Sequence, residues 1–145
     1  MKLLLLNPVN YYKKLHFSGE IYYLSFTRFF DDIYSFIKPK KIFDAVSFLV
    51  DSFNVIEGVK KLDPYNLASV FESLTTEKID NSIIILDSIT SLEFYHDEKE
   101  ILEFIHNLDK FCNSKNSSLF VLAFTKDDLF NKLNNLYNKP LSFNG

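Results

Sequence analysis

Short, predominantly apolar runs alternate along this chain with stretches in which apolar residues return every three or four positions. The runs are Leu3 to Leu6, Ile21 to Phe26, Lys41 to Phe48, Ser82 to Asp87 and Leu119 to Phe124. They are rich in β-branched and aromatic residues, and most lack a polar face, which is the pattern of strands covered on both sides. Between them, Phe29, Phe30, Ile33, Phe36 and Ile37 predict a helix with Asp31 and Asp32 in its first turn, stopped by Pro39. Asp63-Pro64 predicts a second helix start, with Leu67, Val70, Phe71 and Leu74 as its apolar stripe. Asp97, Glu98 and Glu100 open a long third helix whose inner face is Ile101, Phe104, Ile105, Leu108, Phe111 and Cys112. Thr125 and Asp128 predict a capped start for a last helix carrying Leu129, Phe130, Leu133, Leu136 and Tyr137. Val9 to Phe17 fits a short helix or a loop, residues 49–62 a surface excursion, and Glu93 to His96 a loop.

Strands of this kind alternating with helices imply an α/β protein. The expected fold is a three-layer α/β/α arrangement around a mostly parallel sheet of about five strands, joined by right-handed crossovers in one domain spanning residues 1–145. Its centre is SIIILDSITSL, Ser82 to Leu92, where three isoleucines and a leucine end on Asp87 and two hydroxyls. Ligands of open parallel sheets collect just beyond the carboxyl ends of the strands, so Asp87 stands where a site would form.

Composition narrows the function classes. With 47% hydrophobic and 17% aromatic residues, the chain is far too apolar for a disordered one. The net charge is −3, and every basic residue except Arg28 is a lysine, so the guanidinium forks that read phosphates and base edges are almost absent. Nucleic acid is not an expected partner. The opening MKLLLL stops at Asn7-Pro8, too short for a membrane anchor and without a cleavage site, so no membrane association is expected. One cysteine, Cys112, fits a reducing cytoplasm, and with His16, His96 and His106 it forms no metal-ligand spacing.

Candidate chemistry is sparse. Asp44 and Asp87, both on predicted central strands, could pair as carboxylates, although an acid bonded to neighbouring hydroxyls or amides is the commoner outcome. His96 next to Asp97 suggests a dyad, but neighbours at a helix start need not face each other. Lys13 and Lys14, beside Tyr11 and Tyr12, are more often solvated than phosphate-binding. No Ser-His-Asp or Cys-His set can be assembled.

From LDPYNLASVFESL through SIIILDSITSLEFY to EILEFIHNLDKFCNSKNSSLFVLAF, the chain resembles the RecA/KaiC-like branch of the P-loop ATPase fold, in particular its small archaeal relatives. The likeness covers about half the chain. It implies that Asp87 occupies the Walker B position, where the family's aspartate helps hold magnesium, with Ser88 and Thr90 as the adjacent hydroxyls. It also implies that the next helix and strand lead to the far side of the sheet. The departures are large. A phosphate loop needs G-x-x-x-x-G-K-[ST], because glycines let the backbone amides wrap the phosphates. After the first strand this chain has NPVNYYKK, and its only glycines are Gly19, Gly58 and Gly145. Where the family carries its catalytic glutamates, after the second strand, stand Ser25, Phe26, Thr27 and Arg28.

These features together lead us to expect a non-catalytic, degenerate ATPase-type domain acting in protein interaction or regulation. No cofactor is expected, although ATP and magnesium at Asp87, Ser88 and Thr90 remain the alternative, and a small-molecule sensor a third. Sixteen Phe and 8 Tyr suggest that some rings reach the surface, with Tyr11, Tyr12, Tyr22, Tyr23, Phe94 and Tyr95 as candidates for contact with a protein partner or a second copy.

Overall fold

The computed structural model describes residues 1–5, 19–47 and 56–137. Among the described residues six parallel strands make one sheet: β1 (Lys2–Leu5), β2 (Ile21–Ser25), β3 (Lys41–Asp44), β4 (Val59–Lys61), β5 (Ile83–Asp87) and β6 (Ser118–Ala123). Their order across the sheet is β1-β6-β5-β2-β3-β4. One face carries α1 (Phe30–Tyr34), whose Ile33 packs with Ile21, Tyr23, Ile42, Ile85 and Leu122. The other carries α2 (Leu67–Thr75), the single turn α3 (Ile89–Leu92), α4 (Glu98–Ser114) and α5 (Asp128–Tyr137), over a larger core that includes Leu24, Phe43, Leu86, Ile105 and Val121. Helices on both faces explain why the strands are apolar at successive positions. The expected α/β/α layering and parallel sheet are present, with six strands rather than about five.

The extra strand is β4, inside the segment expected to be a surface excursion. It sits at the sheet edge, its two lysines are exposed, and only Val59 packs inward, so it carries almost no strand pattern. Val9 to Phe17, with Tyr11, Tyr12, Lys13 and Lys14, lies outside the described residues, as does Phe48. Strand β3 ends at Asp44 rather than running through it. The Asp44 Oδ1 accepts the amides of Val46 and Ser47, both at 2.9 Å, and turns the chain there.

Two helix starts also differ from expectation. Asp63 Oδ1 accepts the Tyr65 amide in a turn, and it is Asn66 that caps α2, accepting from the Ser69 amide at 3.0 Å. At α5 the cap is Asp127, whose Oδ1 accepts the Phe130 amide at 3.0 Å, not Thr125. The start of α4 is as expected, with Asp97 and Glu100 forming a reciprocal capping box. Among the described residues, no helix is long and apolar enough to cross a membrane.

The connections fix where a site can form. From β2 the chain passes through α1 to β3 on one side, whereas from β5 it passes through α3 and α4 to β6 on the other. Between β2 and β5 the direction of winding reverses, and the crevice opens at their carboxyl ends.

Candidate functional site

Strand register lays one row of residues across that carboxyl edge: Leu4, Leu122, Asp87, Ser25, Asp44 and Lys61. Asp87 and Asp44 therefore share a face but are separated by β2, two strand spacings or about 10 Å apart. Between them the Ser25 hydroxyl is closed on the Arg28 backbone, donating to its carbonyl at 2.6 Å and accepting its amide at 2.9 Å. Asp44 Oδ1 holds its own turn while Oδ2 is buried with no hydrogen-bond partner among the described residues, and with β2 between them the two acids do not form the carboxylate pair considered from the sequence. Among the described residues, no group of three or more His, Cys, Asp or Glu side chains could hold a metal ion.

Asp87 is fully buried. The Tyr23 hydroxyl, two residues before Ser25 on the same face of β2, donates to Asp87 Oδ2 at 2.6 Å. Arg28 Nε lies 3.5 Å from the same oxygen, with its side chain only 15% exposed and its guanidinium over the Phe124 ring. Burial pushes the Asp87 carboxyl up to about 6, against the lowering effects of the Tyr23 bond, the Arg28 charge and a bond from Thr27. The Tyr23 hydroxyl is itself raised well above its ordinary value, by burial first and then by the Asp87 charge and hydrogen bond. Burial at 0% exposure therefore outweighs the partners, and the network is a charge sealed inside the protein with its own counter-groups.

The hydroxyls beside Asp87 serve the fold. Ser88 is buried and caps α3, its Oγ accepting the Ser91 amide at 3.2 Å. Thr27 Oγ1 lies 3.0 Å from Ser88 Oγ and 2.7 Å from Ser91 Oγ, closing a ring of three hydroxyls between the β2 and β5 loops. Thr90 Oγ1 accepts the Phe124 amide at 3.0 Å and ties α3 to the end of β6. A magnesium ion needs accessible oxygen ligands in octahedral array. The carboxylate here is enclosed between a hydroxyl donor and a guanidinium, and Ser88 and Thr90 are committed elsewhere, so this arrangement does not fit a magnesium nucleotide.

The other candidates separate clearly. Tyr22 and Tyr23 are not on the surface: they are 2% and 0% exposed, because β2 is covered on both faces. Phe94 is 81% exposed, and Tyr95 stacks edge-on against Tyr65 with ring centroids 4.9 Å apart. Tyr11 and Tyr12 lie outside the described residues. Cys112 is buried and its thiol is pushed up to about 12, chiefly by burial, which removes it as a nucleophile.

His96 and Asp97 do not form a dyad. Asp97 caps α4, while His96 places Nε2 2.7 Å from the Pro64 carbonyl oxygen and Nδ1 3.0 Å from Glu100 Oε2. Both partners are acceptors, so both bonds form together only when both ring nitrogens carry hydrogen. The ring thereby pins the loop before α2 to the first turn of α4. His96→Ala is expected to cost about 1–3 kcal/mol in urea unfolding, because a part-buried carbonyl loses its donor. A cost within error of zero would show that the ring does not hold the loop.

Taken as a class, this is an α/β protein with an all-parallel sheet whose winding-reversal crevice closes over a buried acid. No family model, curated protein or solved structure matches the chain.

Tyr23 and Arg28 are the site residues that sequence reasoning missed. One signal was available: Arg28 is the only arginine in a chain otherwise using lysine, and a planar, permanently charged group is the one suited to a buried carboxylate.

Proposed function

We propose that this chain is a degenerate RecA/KaiC-like domain, a cytoplasmic pseudo-ATPase that acts as a protein-interaction or regulatory module and not as a catalyst. The observation that carries this reading is the enclosure of Asp87, whose charge is answered by Tyr23 and Arg28. An acid that serves magnesium must stay open to solvent and ligands; this one has no exposed surface. The path of the chain beyond Asp87, through α4 and β6 toward the β1 edge, follows the route that the resemblance implies. Phe94, five residues after α3 begins, presents a bare ring at 81% exposure, open to contact with a partner.

The test pairs two variants in affinity capture and sizing of the purified protein. Phe94→Ser should abolish capture of a partner or self-association, reducing it at least tenfold, while Asp87→Asn should leave it unchanged. The reverse result would move function to the buried acid.

A second reading, a nucleotide or small-molecule binder, has one observation in its favour: Asp87 and Ser25 sit at the reversal point between β5 and β2, where ligands of open sheets are held. It requires that Tyr23 and Arg28 be displaced by the ligand, so it predicts that weakening their hold, as in Tyr23→Phe, raises affinity.

A further inference from the structure

A cleft of about 560 Å³ runs between α2 and α4 on the face opposite α1. Its floor is apolar, formed by Leu67, Ala68, Phe71 and Phe104. The edge-on pair Tyr65 and Tyr95 stands at the end where Tyr65 joins the lining, with Tyr65 57% exposed. Three carboxylates, Asp63, Glu100 and Glu103, border the cleft, and no lysine, arginine or histidine is among the residues lining it. The border is acidic, with the His96 ring set against Glu100 behind it.

We propose that this cleft docks a basic amphipathic helix of a partner protein, with its apolar side on Leu67, Ala68 and Phe71 and its lysines or arginines facing Glu103. The assignment rests on the interaction-module reading and names the partner's chemistry. Charge complementarity selects the sign: Asp63 and Glu100 are already bonded to the Tyr65 amide and to His96, which leaves Glu103 as the border acid that a cationic segment would meet first. The shape selects the element, because a helix laid between two others seats its apolar residues in the groove that their ridges leave. The end of the cleft is already rigid. His96 holds Pro64, Asn66 caps α2, and Asp63 closes the turn at Tyr65, so little ordering remains to oppose binding.

The test titrates the full chain, labelled with nitrogen-15, with a synthetic leucine-lysine helical peptide at physiological salt, using a leucine-glutamate peptide of the same pattern as its control. The leucine-lysine peptide should shift amide resonances of α2 and α4, and the control should shift none. Ala68→Arg, at an exposed position of the floor, and Glu103→Lys, at the border, should each weaken binding at least tenfold. Shifts confined to other elements, equal binding of both peptides, or indifference to both variants would overturn the proposal. A concentration-dependent dimer in sedimentation velocity that Ala68→Arg abolishes would assign the cleft to a second copy and also overturn it. Loss of the cleft assignment with Phe94-dependent capture intact would leave the interaction reading standing; nucleotide binding that needs Asp87 would remove that reading itself.

Discussion

Asp87→Ala is expected to lower the unfolding free energy by about 3–5 kcal/mol in urea denaturation at pH 7. The loss comes from what the carboxylate leaves behind. Arg28, 85% shielded by the protein, is stripped of a counter-charge 3.5 Å away, and the fully buried Tyr23 hydroxyl is stripped of the acceptor it meets at 2.6 Å. Breaking a buried pair by removing one member costs more than the pair contributes, because burial keeps water from fully replacing the lost carboxylate. For the same reason Asp87→Ala is a poor probe of ligand binding, since it perturbs the fold as well as the acid. Asp87→Asn keeps the shape and an acceptor for Tyr23 and is the better variant. A cost below about 1 kcal/mol for Asp87→Ala would show that the network is not enclosed.

The second large effect is in pH dependence. The carboxyl is raised from its ordinary 3.8 to about 6 in the folded protein, mainly by burial. Between those values the native state keeps a proton that the unfolded chain releases, so stability is greatest below about 4 and falls as pH rises through 6. The rise from 3.8 to about 6 corresponds to about 3 kcal/mol. Other carboxylates titrate in the same range, so the readout is the difference between wild type and Asp87→Asn, measured by urea unfolding from pH 3.5 to 7.5. That difference should fall by about 3 kcal/mol across the window. A flat difference would mean that Asp87 is not desolvated, and a rising one that Arg28 dominates over burial.

Much of this fold is legible in the sequence, and the exceptions have physical causes. Runs such as Ile83 to Leu86 and Leu119 to Ala123 can only be strands covered on both faces, and Ile101 to Cys112 can only be a half-buried helix. Strand β4 escaped notice because an edge strand of three residues needs one apolar side chain, and α3 because a single turn shows no periodicity. Asp63 and Asn66 both resemble caps, and only the tertiary turn decides between them. In KIFDAVSF nothing local marks Asp44 as the end of the strand, since its Oδ1 replaces the ladder with a turn.

The site divides in the same way. Asp87 stands out because an acid after four apolar residues is conspicuous. Its partners do not, because Tyr23 and Arg28 precede it by about sixty positions and reach it only when β2 lies beside β5, a pairing that no local pattern encodes. The same distance in sequence hid the burial of Tyr22 and Tyr23, two consecutive rings with polar tips that read equally well as an exposed strand.

The most direct measurement is a calorimetric titration of the purified protein with ATP and magnesium to millimolar concentration, run beside a melting scan of the same mixture. An Asp87 neutralised from within predicts no heat of binding and no rise in melting temperature. Saturable heat that disappears in Asp87→Asn would contradict it, because the carboxylate would then be reaching a ligand past Tyr23 and Arg28.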